Sequence, residues 1–306
     1  MTKTALLTPR PVRTRHVTAR GWTGRTLASL LLLLFALFFI IPVTWLLLAS
    51  GKSPHELITE NPFAVGSFGD LANNWNQLIS FQDGAVGGWL RNSALYTIGA
   101  LIITLIVSIP AGYALALTEF KFRRALLVTT LTVMLIPNTA LVLPIFLELN
   151  KVGLIGNALS VILPFSFFPF GVYLTYIYFN TSIPRDLLSA ARIDGCNEWE
   201  VFGRIALPLA TPIVALVAFF SFVQNWNNFF LPYVMLPSSG SYPMQVGLTS
   251  LLAAVPAFNP SSVGSASIQL PTLALATVFS VAPVLLVFLF SQRFLVAGMT
   301  AGGTKE

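Results

Sequence analysis

Residues 182–212 read SIPRDLLSAARIDGCNEWEVFGRIALPLATP, the longest charged stretch between two apolar blocks of this chain. Pro184 is placed to begin a helix, because its missing N–H would have no partner in a first turn anyway. Gly195 stands where a left-handed residue would end that helix. Asn197, followed three residues later by Glu200, is typical of a capping box that begins a second helix. The stretch therefore predicts two short helices joined by a glycine turn.

The segments on either side of this helix pair are strongly apolar. Pro208 and Pro212 are predicted to close the second helix, because proline lacks the N–H that a helix interior needs. The chain then enters another apolar run. A short charged helix pair between two apolar segments has the form of a docking element for another protein. The alternative is a solvated loop that packs only on its own helices.

The composition indicates a membrane protein. Of 306 residues, 55% are hydrophobic and 9% are charged, and the mean hydropathy is +0.79, whereas a soluble domain carries about 25% charged residues. A helix needs about 20 mainly apolar residues to cross the bilayer. Six blocks meet this need, at about 27–48, 90–117, 125–147, 158–179, 213–236 and 271–290. We predict an all-α polytopic membrane protein with six transmembrane helices over residues 27–292.

Basic residues are distributed unevenly between the loops. Residues 1–26 hold six basic residues and no acidic one. We interpret them as a cytoplasmic tail; a cleavable signal peptide is the alternative, but the apolar run that follows is longer than a signal core. With this end inside, 14 basic residues lie in inside segments and three in outside segments. This split follows the positive-inside rule and predicts that the 182–212 loop, the 293–306 tail and both termini are cytoplasmic.

The same split accounts for the net charge of +6, so we expect no nucleic-acid partner. The same topology predicts that residues 49–89 and 237–270 are polar outer loops.

Two tryptophans and the end of the chain give further expectations. Trp75 and Trp89 are typical of an aromatic belt at the membrane interface. Small residues dominate 297–303, which predicts a flexible end to the chain.

The charged stretch resembles the EAA loop of permease subunits of bacterial ABC importers, which reads E-A-A-x-x-D-G, then a hydrophobic stretch and L-P. The matching positions are Ser189, Ala190, Ala191, Asp194, Gly195, Phe202 and Pro208. The runs FVQNWNNFFLP (222–232), WLRNS (89–93) and QRFLVAGMTAGG (292–303) are similar to those of MalG-like sugar permeases. The resemblance covers nearly the whole chain.

The resemblance implies a multi-pass subunit of the cell membrane that passes a sugar into the cytoplasm. Its partners would be a second, MalF-like permease, two copies of an ABC ATPase and an extracytoplasmic solute-binding protein. In this family the C-terminal tail reaches between the ATPases. ATP and Mg²⁺ would be bound by the ATPase, so no cofactor, metal or catalytic site is expected in this chain. The sequence accordingly has no G-x-x-x-x-G-K-[ST] motif.

The resemblance also assigns ATPase contact to the seven matching loop residues. Ala190 and Ala191 are small enough to permit close approach of a partner surface, and Phe202 is predicted to be an apolar anchor. Ser189 stands where the family has a glutamate. A hydroxyl cannot make the charge-assisted hydrogen bond of a carboxylate, so docking at this position must use different chemistry.

Amide side chains mark a candidate translocation pathway. In a continuous fifth span, Gln224, Asn227 and Asn228 share one helix face at 100° per residue, and Trp226 offers a stacking plane for a sugar. Asn138 follows a proline at a predicted kink of the third span. We predict that the four amides line the pathway. Hydrogen bonding between neighbouring helices is the alternative.

Three other functions stay open from the residues alone. They are an ABC importer permease for a non-sugar solute, a stand-alone secondary carrier, and a membrane scaffold without transport activity. Carriers usually place an ionisable residue at mid-membrane. Asp and Glu are confined here to loops and the edges of spans, which weighs against a carrier.

Overall fold

The computed structural model describes residues 19–262 and 268–301, and its side chains are described over 24–261 and 268–293. The helices are α1 (Ala19–Ala49), α2 (Pro54–Thr59), α3 (Phe68–Ser80), α4 (Ala85–Leu117), α5 (Arg123–Val133), α6 (Asn138–Lys151), α7 (Leu159–Ser166), α8 (Pro169–Ser182), α9 (Arg185–Ile193), α10 (Glu198–Glu200), α11 (Leu207–Leu209), α12 (Thr211–Trp226), α13 (Phe230–Met235), α14 (Met244–Ala254) and α15 (Leu270–Ala301). A π-helical stretch, Val201–Ala206, joins α10 to α11. The described ranges contain no strand, and the all-α prediction is confirmed.

The apolar helices account for the predicted spans. Within the described part of the chain, four helical stretches are long and apolar enough to cross a membrane, and six if each of two bent helix pairs is one span. Helices α5 and α6 form one bent pair, at 106°, and the α10–α11 run forms the other with α12, at 76°. The first, second and sixth spans are single helices. The third is divided at the position of the predicted kink, and the fifth is shorter than predicted.

Prolines explain the breaks in the third and fourth spans. Pro137 precedes α6 in an extended conformation, with ψ 128°, and disfavours helical geometry in the residue before it. The kink predicted there is therefore a complete break of the helix. Pro169 opens α8 after the non-helical Phe168, which divides the fourth span between α7 and α8.

The fifth span ends earlier than predicted, at Trp226 rather than near residue 236. Pro232 is the third residue of α13, where it is tolerated only because a first turn needs no N–H partner. A new helix must therefore begin just before it. The Asn228 side chain accepts a hydrogen bond from the Leu231 N–H at 3.3 Å, as a capping residue does.

Helix α4 is the centre of the fold and packs against α7, α8 and α12. It packs closely on α8 at Gly112, where an added Cβ would lie 2.5 Å from the Cβ of Thr175. Only glycine permits this separation of the two backbones. Tyr113, Phe179 and Val217 belong to the buried cluster that α4, α8 and α12 share.

The two predicted outer loops are largely structured. They contain α2, α3 and α14, and Trp89 is completely buried there, with its Nε1–H donating to the Ser239 carbonyl at 3.0 Å. Its placement in an interfacial belt was therefore wrong, because the indole finds its hydrogen-bond acceptor inside the protein. Trp75 remains 43% exposed and packs on Phe279, as a belt residue would.

Both ends of the described chain are long helices. Most side chains of α1 are exposed, and only those near its C-terminal end are half-buried or buried. Helix α15 continues to Ala301, so the flexible end expected from residue 297 was wrong as far as residue 301. The helix continues through Gly298, because helix-forming residues surround that single glycine, and two consecutive glycines follow only at residues 302 and 303. Most of the 1–26 tail and residues 302–306 lie outside the described residues.

Candidate functional site

Helices α9 to α11, residues 185–209, lie beside one end of the bundle and are called the loop helix pair below. Helix α9 is amphipathic. Leu188 and Ala191 are buried in the cluster formed with α4 and α8, whereas Ser189 and Ala190 are exposed. The Ser189 hydroxyl donates to the Arg185 carbonyl at 3.1 Å, so it is occupied within its own helix.

The turn between the two helices forms as predicted. Gly195 has a φ of +90°, a left-handed conformation that strains any other L-residue. The Cys196 N–H donates to the Ala191 carbonyl at 3.0 Å, which closes the end of α9 in the manner of a glycine C-cap. Asn197 and Glu200 then exchange side-chain and backbone hydrogen bonds, both at 3.0 Å, and form the predicted capping box.

The second helix of the pair ends differently from our prediction. Pro208 is inside the helical run, which closes at Leu209, and Pro212 belongs to the first turn of α12. The helix tolerates Pro208 because the preceding π-helical stretch changes the pattern of backbone hydrogen bonds that a proline would interrupt. The Tyr178 hydroxyl of α8 donates to the Leu209 carbonyl at 2.9 Å and fixes this end.

The residues matched to the EAA loop divide into two groups. Ser189, Ala190, Asp194, Gly195 and Pro208 are exposed. Ala191 and Phe202 point into the protein instead. The Phe202 ring is half-buried, and its centroid lies 5.0 Å from that of Tyr113 on α4. Phe202 therefore does not present the outward apolar anchor that we predicted.

Two other apolar side chains occupy that outward position. Ile193 is 86% exposed and Trp199 is 79% exposed, and they lie on opposite sides of the Gly195 turn. The sequence signal was present in both cases, because an isoleucine and a tryptophan in a charged, capped loop have no reason to be solvated. Neither residue is among the positions matched to the EAA loop.

An ion pair crosses the turn. The Arg192 guanidinium donates to both oxygens of Glu198, at 2.7 and 3.2 Å. The hydrogen bond from Arg192 is the largest cause that lowers the pKa of the Glu198 carboxyl, and the same bond raises the pKa of Arg192. The Tyr113 hydroxyl donates to the second Glu198 oxygen at 3.3 Å. The sequence gives no signal of this contact, because Tyr113 and Glu198 are 85 positions apart.

A cavity of about 410 Å³ lies at the helix breaks and is called the amide cavity below. Asn138, Gln224 and Asn228 contribute to its lining, which is otherwise mostly apolar and aromatic. A neighbouring cavity of about 240 Å³ shares Asn138 and Gln224. The structure thus brings together three of the four predicted amides.

Asn227 is not among the residues that line the amide cavity. The prediction assumed a continuous helix, but α12 ends at Trp226, so the 100° spacing no longer applies at residue 227. Trp226 is also not available for stacking in the cavity. It is buried, and its Nε1–H donates to the Ser280 carbonyl of α15 at 2.8 Å, which makes it an interhelical contact.

Comparison with known proteins matches residues 108–301 to a family model described as the binding-protein-dependent transport system inner membrane component. The arabinooligosaccharides transport system permease AraQ of Bacillus subtilis is 32% identical over 286 residues, covering 92% of this chain and 96% of that protein. The diacetylchitobiose uptake system permease NgcG of Streptomyces coelicolor is 32% identical, covering 90% and 86%.

A solved structure has a similar fold. The crystal structure of a bacterial ABC transporter involved in the import of the acidic polysaccharide alginate contains a chain that matches with a TM-score of 0.77. The match covers 92% of this chain and 99% of the other, at 24% sequence identity. At that identity the likeness concerns the fold.

Proposed function

Since the chain belongs to the family of binding-protein-dependent transport system inner membrane components, we propose that it is a permease subunit of an ATP-driven importer that passes a sugar into the cytoplasm. Its partners are a second permease, two copies of an ABC ATPase and an extracytoplasmic binding protein. The single observation that best supports this function is the exposed loop helix pair at one end of an all-α membrane bundle. The names of the relatives, which concern oligosaccharides, support the choice of sugar.

We infer that the loop helix pair and both termini lie in the cytoplasm. The 14 to three distribution of basic residues supports it. Arg123, which follows α4, donates to the Leu115 and Ala116 carbonyls at 2.7 and 3.1 Å. This basic turn lies at the same end of α4 as Tyr113, which contacts the loop helix pair. Charge and contacts therefore agree on which end faces the cytoplasm.

The loop helix pair docks on the ATPase through its exposed residues. The polar and small surface consists of Ser189, Ala190, Asp194, Gly195 and Pro208. Ile193 and Trp199 supply the apolar anchors, because large exposed side chains of this kind mark interaction sites. ATP and Mg²⁺ are bound by the ATPase, and the motion of docking passes into the membrane helices as a rigid-body shift.

The amide cavity forms part of the sugar path. Gln224, Asn138 and Asn228 offer donors and acceptors to hydroxyl groups, and the aromatic lining offers faces for a sugar ring. A volume of about 410 Å³ is in the range of small-molecule sites. Asn227 has no place in this path, as it lies outside the cavity.

Reconstitution tests the function as a whole. The chain, its second permease and the ATPase are placed in proteoliposomes, and uptake of labelled oligosaccharides is measured with and without ATP and the binding protein. We expect uptake that needs both. Preferential uptake of a non-sugar solute would contradict the substrate, and flux driven by an ion gradient through the chain alone would contradict the importer.

Crosslinking tests the docking surface separately. Cys196 is the single native cysteine and is first replaced by serine. A cysteine at Ala190 or Asp194 should then crosslink to the ATPase. A cysteine at Glu60, an exposed residue next to α2, is the matched control and should not. Equal crosslinking from Glu60 and from the two loop positions, or no crosslinking from any of them, would contradict the proposed docking surface.

A further inference from the structure

We propose that Tyr113, Glu198 and Arg192 form a linkage that sets the angle of the loop helix pair and ties it to α4. The proposal rests on the proposed function, since it concerns how motion of the docked pair reaches the membrane helices. The three are positioning residues: their side chains act on each other, and the exposed docking surface lies elsewhere on the pair.

The first half of the linkage lies within the pair. Arg192 is on the last turn of α9, and Glu198 is the first residue of α10. Their two hydrogen bonds, at 2.7 and 3.2 Å, are a bidentate contact, which fixes orientation as well as distance. Because Gly195 lies between the two residues, this contact determines the angle between the two helices. The backbone turn alone would leave a hinge there.

The second half connects the pair to the bundle. Tyr113 is buried on α4, and its ring packs on Phe179 of α8 and on Phe202, with centroid distances of 5.4 and 5.0 Å. The hydroxyl reaches the Glu198 carboxylate at 3.3 Å, which is longer than the usual O–H···O distance of about 2.5–3.0 Å. One carboxylate therefore has a partner in α9 and another in α4.

This hydrogen bond is distinctive among the described side chains. Tyr113 to Glu198 is the one side-chain hydrogen bond that they show between α4 and the loop helix pair. Two other described side-chain bonds run from the bundle to the pair, from Tyr178 of α8 to the Leu209 carbonyl and from Thr211 of α12 to the Pro208 carbonyl, and both end on the backbone. A displacement of α10 thus acts on α4 through Glu198.

A second ion pair provides a matched control. Arg204 contacts Glu200 at 3.1 Å, one helical turn apart within the second helix. It has the same charges and is also partly exposed, but it neither crosses the turn nor reaches α4. A substitution at Arg204 should therefore reproduce any general effect of losing a charge on this surface.

The test measures coupling in the reconstituted transporter as sugar molecules imported per ATP hydrolysed. Glu198→Gln and Arg192→Gln should assemble with the ATPase and keep basal ATP hydrolysis, while the ratio falls about fivefold. Tyr113→Phe keeps the ring and removes the hydroxyl, and it should lower the ratio about twofold. Arg204→Gln should leave the ratio unchanged.

Two results would overturn the linkage. One is an unchanged ratio in Tyr113→Phe and Glu198→Gln, and the other is an equal loss in Arg204→Gln. If Glu198→Gln does not assemble, Tyr113→Phe decides, because its packing is intact. Failure of the proposed function has a different signature, since the wild-type transporter would then show no ATP-dependent uptake at all.

Discussion

The loop helix pair and the amide cavity differ in whether their polar side chains have hydrogen-bond partners within the protein. In the pair, Arg192, Glu198 and Asn197 all bond to other parts of the protein. In the cavity, the side chains of Asn138 and Gln224 have no protein hydrogen-bond partner among the described residues. The third amide of the cavity, Asn228, accepts one bond, from the Leu231 N–H. A region whose polar groups are satisfied keeps its shape, and one with unoccupied amide groups can bind something else. The following substitutions test that contrast.

The largest effect should come from Gly195→Val. A β-branched residue at a φ of +90° costs about 1–3 kcal/mol of backbone strain, and the chain relieves it by changing the angle of the helix pair. We expect sugar uptake to fall about a hundredfold, near the upper end of that strain, while membrane insertion is unchanged. Gly203→Ala is the control, because Gly203 is exposed and has open space around it. Normal uptake by Gly195→Val would refute a fixed angle.

Trp199→Ala should produce the next largest effect. Removing an exposed aromatic anchor from an interface costs about 2 kcal/mol or more when it is a hot spot, so the affinity for the ATPase should fall about thirtyfold. Binding to the purified ATPase is the measurement. Trp75→Ala removes another partly exposed tryptophan, on α3, and should bind normally. An unchanged affinity for Trp199→Ala would remove this residue from the docking surface.

Gln224→Leu tests the amide cavity. Loss of one amide that bonds to a neutral hydroxyl costs about 0.5–1.5 kcal/mol, so we expect the KM for sugar uptake to rise about threefold to tenfold. The coupling ratio should not change. Asn227→Leu is the matched control, since Asn227 is exposed but lies outside the amide cavity. Equal effects of the two substitutions would show that the cavity is not the path.

The smallest effect concerns pH. Because Arg192 lowers the pKa of Glu198, the carboxylate is ionised above the ordinary carboxyl pKa, and its contribution to stability is fully present there. That contribution is lost as the pH falls through the lowered pKa, below about pH 4. The pair is partly exposed, so its contribution is at most about 1 kcal/mol.

Thermal unfolding of wild type and Glu198→Gln measures this dependence. We expect a small difference in Tm that is constant between pH 8 and pH 5 and disappears in stronger acid. A difference that grows as the pH falls would contradict the direction of the pKa shift. Arg204→Gln serves again as the control for surface charge.

The sequence predicted the parts of the molecule that depend on local chemistry. Gly195, Asn197 and Glu200 act within a few residues of their own positions, so their turn and capping box could be foreseen. Hydropathy likewise identified the apolar blocks, because membrane crossing depends on composition and length. The turn and capping residues and the apolar blocks can each be recognised from one short segment of sequence, without knowledge of distant residues.

The errors came from features that depend on distant residues or on helix continuity. Phe202 is turned inward because Tyr113, some 90 positions earlier, offers its ring. Asn227 left the predicted face because Pro232 forces a new helix. Trp89 is buried because the carbonyl of Ser239 lies above it. Contacts between distant residues, and breaks in a helix, cannot be read from the hydrophobic periodicity of a single sequence.

The length of α4 has a mechanical consequence. Its 33 residues extend about 50 Å, and Pro110 lies within it without ending it. Tyr113 is near one end, while Asn92, near the other, donates to the Gly240 and Tyr242 carbonyls at 2.8 and 3.1 Å. At Gly112 the backbone of α4 also packs directly against α8. Helix α4 therefore connects the loop helix pair to the opposite end of the bundle, so that a displacement at Tyr113 would be transmitted along one helix to the contacts of Asn92.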